Sequence, residues 1–229
     1  MYSRFLPLLF LITFACTQPG NESDKADAAT DTTVHLGTSA ESPRDKSNSL
    51  IIVPGESIGS LHLGEDAALL SQKLGKPDLS DAAMGKAWTT WLSKTTDPYN
   101  NIPELNVFTA YKDNSMTVKT VQLIRTTSPD FNVGNVKVYS PLDEIGKAFP
   151  GLQYKAHFTQ VKTGKIMSLY DAEAEGIAFD ITVINDKKLC TAIIIHPKNK
   201  SVMDHYIGLL TGKGWNVSNK GRNKDSSLR

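Results

Sequence analysis

The chain has 229 residues, and its 25 Lys and Arg balance 24 Asp and Glu to a formal net charge of +1 at pH 7. This balance argues against a nucleic-acid binder, which needs a basic surface to neutralise phosphates. Composition is otherwise ordinary for a globular protein, with 40% hydrophobic and 21% charged residues, so one good core or two small ones are expected.

An apolar segment opens the chain. Residues 1–15 carry one basic residue, Arg4, followed by an apolar run of about the length of a signal-peptide core. The run is shorter than the roughly 20 apolar residues that cross a bilayer as a helix. Small Ala15 precedes Cys16, and polar residues follow at once. This segment resembles the lipobox of bacterial lipoproteins, although Thr13 stands where Leu is usual.

The lipobox resemblance implies that residues 1–15 are a lipoprotein signal peptide and that Cys16 is acylated, with palmitate among its chains. Several acyl chains on one cysteine hold a protein firmly to a membrane. By resemblance to Gram-negative lipoproteins, Thr17 in place of Asp favours the outer membrane. We therefore predict a lipid-anchored protein of the cell envelope, with Cys190 left without a disulfide partner. The alternative is an ordinary secretory signal that is cleaved nearby.

Two polar segments flank the central part of the chain. Residues 16–49 contain the anchor cysteine and then a stretch rich in Ser, Thr, Asp, Gly and Ala, without an aromatic residue. This composition buries too little apolar surface to offset chain entropy, so the segment is predicted to be a disordered linker. Residues 218–229 are predicted to be a disordered basic tail.

An internal repeat organises the region between these segments. At a constant offset of 75 residues, ESIGSLHLGEDAALLSQKLGKPD aligns with FNVGNVKVYSPLDEIGKAFPGL. In each copy apolar residues first nearly alternate, as in a strand, and then recur with the spacing of one face of an amphipathic helix. The helical positions are Ala67, Leu70 and Leu74 in one copy and Leu142, Ile145 and Phe149 in the other.

Strand patterns follow each predicted helix. They lie at residues 87–94, 104–112 and 117–126, and again at residues 153–159, 166–172, 176–183 and 189–196. Residues 202–210 predict a carboxy-terminal helix. The predicted fold class is therefore α+β, with repeat 1 over residues 50–126 and repeat 2 over residues 127–217. Each repeat is a helix plus an antiparallel meander, and together they form a curved sheet with helices on one face.

The segment IGSLHLGEDAALLSQKLGKPD and the 75-residue repeat resemble a group of tandem-repeat domains that includes the β-lactamase inhibitor protein and small outer-membrane assembly lipoproteins. The resemblance covers most of residues 50–197. It implies a scaffold for binding proteins. The inhibitor proteins carry disulfides that this chain lacks, so the resemblance gives lactamase inhibition no particular support.

The sequence contains no HExxH, CxxC, GxSxG or phosphate-loop motif, so neither a metal nor a cofactor is expected. Cys190 lies in the apolar stretch LCTAIII, which is typical of a buried and inert thiol. An acidic cluster, Asp171, Glu173, Glu175 and Asp180, has two interpretations. It is either a charged strand end and turn, or a calcium or paired-carboxylate site.

Aromatic residues cluster in the predicted strands, and a sheet with an open face would expose some of them. Trp and Tyr are frequent anchors of protein interfaces. We therefore predict a binding face to which Trp88 or Trp91, Tyr111 and Tyr170 contribute. Alternation puts the two tryptophans on opposite faces. The alternative is that all four are ordinary packing residues.

The predicted function is a non-enzymatic, membrane-tethered protein-binding or scaffold module. Its partners would be the membrane, through the lipid, and an unknown envelope protein, with no nucleic acid. Two alternatives stay open: a hydrolase or transferase with an unrecognised acidic site, and a carrier of a small ligand or lipid. Convergence of the acidic cluster with a His or Arg in a pocket would favour the enzyme, and an open aromatic face would favour the binding module.

The anchor prediction has a direct test. Cys16→Ser removes the only sulfur at the lipobox, so metabolic labelling with a fatty-acid analogue should be lost. Cys190→Ser serves as the control and should label like the unaltered chain. Retained labelling of the Cys16→Ser protein would refute the anchor.

Overall fold

A computed structural model describes residues 50–220, with side chains as far as residue 217. The predicted signal peptide, Cys16 and the whole of the predicted linker lie outside the described residues, as do residues 221–229. The described part belongs to a single unit, Pro43–Arg229. None of its helices has the length and apolar character that a membrane crossing requires.

Fourteen strands and three helices make up the described chain. In order they are β1 (Ile52–Val53), β2 (Ser57–Ile58), β3 (Leu61–His62), α1 (Leu70–Leu74), β4 (Leu79–Ala83), β5 (Lys86–Leu92), β6 (Glu104–Tyr111), β7 (Lys119–Thr126), β8 (Asn132–Val133), β9 (Val136–Lys137), α2 (Leu142–Ala148), β10 (Gln153–Gln160), β11 (Ile166–Ala172), β12 (Ile177–Ile184), β13 (Lys187–Ile195), α3 (Met203–Gly212) and β14 (Trp215–Lys220). Nine of the strands form one antiparallel sheet in the order β14-β10-β11-β12-β13-β7-β6-β5-β4.

The predicted α+β class, with two helix-plus-meander repeats, is wrong. The described chain is mostly β, with 45% strand and 15% helix, and it is built on one large antiparallel sheet. The apolar residues of the two aligned segments do recur with helical spacing. However, α1 has only 5 residues and α2 only 7, about two turns at most. Gly75 ends α1 with φ of 76°, a conformation that a glycine adopts readily.

The aligned segments do share local structure, although they join a single sheet. The short hairpins β2–β3 and β8–β9 each turn through a glycine, Gly59 with φ of 57° and Gly134 with φ of 58°. A short helix follows each hairpin. The repeated pattern therefore specifies two small supports for the sheet, one in each half of the chain.

The prediction of helices on one face is also wrong, because both faces of the sheet are covered. Leu70 of α1 and Ile145 of α2 pack in a cluster on one face, whereas Tyr206 of α3 packs in a second cluster on the other. The run Ile193 to Ile195 shows how a central strand serves both clusters. Ile193 and Ile195 belong to the first cluster, and Ile194 belongs to the second, as expected for a strand buried on both faces.

The two edge strands were missed by the sequence patterns. All five residues of β4 are exposed, so no alternation between buried and exposed residues marks it. At the other edge, β14 extends to Lys220, and residues 218–220 of the predicted disordered tail therefore lie in a strand. The other seven sheet strands and α3 lie within two residues of their predicted positions.

The buried residue Ile193, on the central strand β13, should contribute strongly to stability. Its side chain is 0% exposed, so Ile193→Ala should lower the free energy of unfolding by about 2–5 kcal/mol. Ile166→Ala removes the same atoms from a side chain that is 57% exposed. This substitution should change the free energy of unfolding by less than about 0.5 kcal/mol. Urea unfolding measures both, and equal losses would contradict the assigned core.

Candidate functional site

A polar network crosses the sheet beneath α3, and Arg125 on β7 is its centre. Its Nη2 donates to Oδ2 of Asp180 on β12 at 3.1 Å, and its Nη1 donates to Oδ1 of Asn106 on β6 at 2.9 Å. Its Nε donates to the hydroxyl of Tyr206 on α3 at 2.8 Å. Asn106 in turn donates to the hydroxyl of Thr90 at 2.8 Å. These five residues are called the Arg125 network.

The network holds a charged pair in the protein interior. Burial raises the pKa of Asp180 against the opposing influence of Arg125 and Tyr206. Burial would lower the pKa of Arg125, but Tyr206 and Asp180 outweigh it and raise that pKa. Oδ1 of Asp180 is buried and has no hydrogen-bond partner among the described residues. Because burial of a charge is unfavourable, this pair depends on its partners being retained together.

The predicted acidic cluster is divided among separate contacts. Oδ1 of Asp171 lies 2.9 Å from Nε2 of His196, and its Oδ2 accepts from the backbone N–H of Val202 at 3.1 Å. Asp171 thereby fixes the start of α3. Glu173 pairs with Lys155 at 2.9 Å, and this hydrogen bond lowers the pKa of Glu173.

Asp171, Glu173 and Asp180 therefore have different partners, whereas the enzyme alternative would be favoured by their convergence in one pocket. Asp171 and Asp180 belong to different buried networks, each with its own basic partner. Within the described residues, no group of three or more His, Cys, Asp or Glu side chains could hold a metal ion. Burial raises the pKa of the Cys190 thiol, as expected for an inert core cysteine.

A cavity lies where the two halves of the sheet part. The central strands β13 and β7 pair through only Ile193↔Thr126, Ile194↔Arg125 and Ile195↔Ile124. Beyond these pairs the strands leave a cavity of about 240 Å³, here called the seam cavity. Its lining includes Asp97, Glu104, Arg125, Tyr139, Lys213 and Trp215.

One rim of the seam cavity is held in a strained conformation. Tyr139 has φ of 76°, which is unusual for a residue with a side chain. Its hydroxyl donates to Asp97, which also accepts the backbone N–H of Asn101 at 2.8 Å. Burial would raise the pKa of Asp97, but these hydrogen bonds hold it below its ordinary value. Burial and the bond to Asp97 raise the pKa of Tyr139 to about 12.

The opposite rim carries an ion pair between Lys213 and Glu104. Oε2 of Glu104 also lies 3.6 Å from Nη1 of Arg125, which links this rim to the Arg125 network. Burial would raise the pKa of Glu104, but the hydrogen bond from Lys213 and the charge of Arg125 lower it. The rim therefore keeps a charged carboxylate at neutral pH.

A second candidate site lies between the β4–β5 hairpin and α3. The ring of Trp88 lies 5.0 Å from that of Phe108, which stacks on His205 at 4.8 Å. Two cavities of about 360 and 200 Å³ flank Trp88, and Asp81 and Gly208 line both. This surface is called the Trp88 groove. Burial lowers the pKa of His205, so a neutral imidazole stacks on Phe108 at neutral pH.

The four aromatic residues predicted to share a binding face are not brought together. Tyr170 is 6% exposed in the core cluster that packs on α1 and α2. Trp91 packs on the same cluster and donates to the carbonyl of Gly75 at 3.1 Å. Tyr111 covers Gly85 in the β4–β5 hairpin. Trp88 alone lies in the groove.

Aromatic residues on two neighbouring strands could have indicated the groove from the sequence. Trp88 pairs directly with Phe108 across β5 and β6, and aromatic pairs on neighbouring strands pack side by side. The register that matches these two residues depends on the loop between β5 and β6, and the sequence pattern does not give the conformation of that loop. His205 could not be assigned because its contact with Phe108 depends on the position of α3.

Comparison with known proteins gives no assignment. No family model matches the chain, and no curated protein matches it. One solved structure, an extracellular protein containing an SCP domain from Bacillus anthracis str. Ames, is 13% identical. The match covers 70% of this chain and 50% of that one, with a TM-score of 0.37. At this TM-score the likeness does not show a shared fold, and the resemblance to the β-lactamase inhibitor group stays a prediction.

The Arg125 network predicts a non-additive pair of substitutions. Arg125→Met leaves Asp180 buried without its cation and should lower the free energy of unfolding by about 3–5 kcal/mol. The double variant Arg125→Met, Asp180→Leu removes the isolated charge and should be more stable than Arg125→Met alone. Urea unfolding measures both, with the exposed Lys137→Met as the control. The single variant Asp180→Leu completes the cycle. A double variant whose loss equals the sum of the losses of Arg125→Met and Asp180→Leu would contradict a coupled pair.

Proposed function

We propose that this chain is a lipid-tethered module of the cell envelope that binds an extended segment of a partner protein. The segment adds to the free edge of β4, and its side chains enter the Trp88 groove. The observation that carries this proposal is an edge strand exposed along its whole length beside an aromatic groove. Strand addition to an exposed edge is a common mode of peptide recognition.

The backbone of β4 has groups available for a new strand. Met84 and Gly85 both have positive φ, 49° and 78°, as in the two-residue turns that favour hairpins. Ala83 and Lys86 flank this turn and are paired, so ladder alternation directs the backbone groups of Ser80 and Ala82 to the free edge. Tyr111 packs on Gly85 and holds the hairpin in this conformation.

The groove supplies side-chain recognition next to this edge. Asp81 lies directly opposite Trp88 in the β4–β5 pairing, so a strand beside β4 would direct alternate side chains toward the groove. Trp88 presents an aromatic surface, and the two flanking cavities have room for apolar side chains. Aromatic anchors in such pockets contribute much of the binding energy of protein interfaces.

Charge favours a basic segment over a second copy of this chain. Asp81 and Asp204 line the larger cavity together with one lysine, Lys86, and with His205, whose pKa is lowered by burial. A partner segment with a Lys or Arg opposite Asp81 would complete this pattern. Two copies that paired through β4 about a two-fold axis centred on Asp81 would instead place two carboxylates opposite each other, which is unfavourable.

The predicted lipid on Cys16 would restrict this binding to the surface of the membrane. The predicted linker, treated as a flexible chain of about 30 residues, would span roughly 30 Å on average, so the module would reach partners that lie close to the membrane. Tethering raises the effective concentration of such partners without any additional contact. Restriction to the membrane surface supports a role in holding envelope proteins rather than in capturing freely diffusing ones.

Two synthetic peptides of alternating Thr and Leu test the proposed surface, one with a central Lys and the other with a central Glu. The full-length protein in detergent should bind the Lys peptide at least tenfold more tightly than the Glu peptide, measured by fluorescence anisotropy. Asp81→Lys should reverse this preference. Equal affinity for both peptides, or no binding of either at millimolar concentration, would overturn the proposal.

Edge pairing has its own matched control. Ser80→Pro removes an outward N–H at an edge position where proline is tolerated, and it should weaken binding of the Lys peptide about tenfold or more. Ser80→Ala keeps that N–H and should bind like the unaltered protein. If Ser80→Pro binds as well as Ser80→Ala while circular dichroism shows both folded, the segment does not add to β4.

A further inference from the structure

We propose that the seam cavity is a binding site for a small organic carboxylate of about the size of one amino acid. Its anionic group would contact Arg125, Lys213 and Lys165, and its apolar part would lie against Trp215 and the side chains near it. Lys213 also lines the smaller cavity of the Trp88 groove, but Arg125, Lys165 and Trp215 do not line that groove, and the inference does not depend on the function proposed for β4.

The cavity follows from the topology of the sheet. The neighbouring ladders contain more pairs than the three that join β13 to β7, with eight between β12 and β13 and seven between β6 and β7. The central strands therefore separate while the strands on either side stay paired. The cavity of about 240 Å³ at this separation is smaller than a typical drug-sized site, and its size suits a small metabolite.

Arg125 offers unused donors at this cavity. A guanidinium has five N–H groups, and Arg125 donates to Asp180, Asn106 and Tyr206. Those bonds use one hydrogen on each of its three nitrogens. Of the two remaining hydrogens, one faces Glu104 through a contact of 3.6 Å. A buried guanidinium with spare donors that lines a cavity is suited to an anionic oxygen.

Both carboxylates that line the cavity already have partners, whereas each of the three cations that line it keeps at least one N–H donor without a hydrogen bond. Asp97 accepts hydrogen bonds from Tyr139, from the side chain of Asn101 and from two backbone N–H groups. Glu104 is paired with Lys213, whose ammonium has further donors. Lys165 makes no side-chain hydrogen bond to another described residue. Asp180 pairs with Arg125 and Glu104 pairs with Lys213. It is therefore the free N–H donors of these cations and the unpaired Lys165, rather than an excess of positive charge, that favour an anion.

The remaining lining combines the hydroxyls of Thr127, Thr182 and Thr191 with a set of apolar side chains, and the apolar set favours an organic acid over a small inorganic anion. Met167 is buried at the cavity, and Leu210 and Trp215 line it from the carboxy-terminal end of α3 and the start of β14. Ile102 lines it from the loop that follows β5. These apolar side chains would contact the body of an organic acid, and they would offer nothing to phosphate or sulfate.

A matched pair of probes tests this site. N-acetyl-leucine carries a carboxylate and an apolar side chain, and N-acetyl-leucinamide has nearly the same shape without the charge. In isotope-labelled full-length protein in detergent at pH 7, the acid should shift the amide resonances of Thr127 and Thr191 and the indole N–H of Trp215. The amide should bind at least fivefold more weakly. Equal binding, or shifts confined to residues elsewhere, would overturn the proposal.

Lys165→Met adds a variant that should fold normally, because Lys165 is exposed in the loop between β10 and β11. It should weaken N-acetyl-leucine at least threefold. Lys162→Met, an exposed lysine in the same loop, removes one positive charge without touching the cavity and should leave affinity unchanged. Equal losses in the two variants would show a general charge effect and would contradict the assigned contact.

Discussion

The buried contact between Arg125 and Asp180 ties together the parts of this protein. Arg125 lies on β7 in the first half of the sheet, Asp180 lies on β12 in the second half, and Tyr206 of α3 bonds to both. The backbone seam between the halves has only three residue pairs. Side chains therefore supply much of the specific connection across the seam. A misaligned seam would leave a charge buried and unpaired, so the ion pair favours one register of β7 against β13.

Both candidate sites lie where backbone pairing ends. The Trp88 groove adjoins the edge strand β4, and the seam cavity opens where β13 and β7 separate. Between these two places the sheet is packed on both faces. Backbone hydrogen bonding determines where each site can form. A strand that is paired on both sides has no free edge groups and leaves no gap between side chains.

Sequence patterns located most of the strands because alternation and β-branched residues mark them directly. They gave the wrong fold class because helical spacing shows which residues face a core but not how long the helix is, and Gly75 stops α1 after 5 residues. The consecutive run Ile193 to Ile195 already indicated a strand buried on both faces, which contradicts helices on one face. The Arg125 network was not predictable, since Asp180 is 55 residues away in sequence and the contact depends on the order of the strands.

Helix α3 forms part of the wall of both candidate sites. Gly208 faces the Trp88 groove, and Leu210, only two residues later, faces the seam cavity. Asp171 holds the first turn through Val202, and Arg125 holds the middle through Tyr206, so the helix is fixed to the sheet at two points. A ligand that shifted α3 at one site would change the shape of the other. Thermodynamic reciprocity then requires that the partner segment and the small molecule each change the affinity of the other by the same factor. Helix α3 would then couple the binding of a protein partner to the binding of a small molecule.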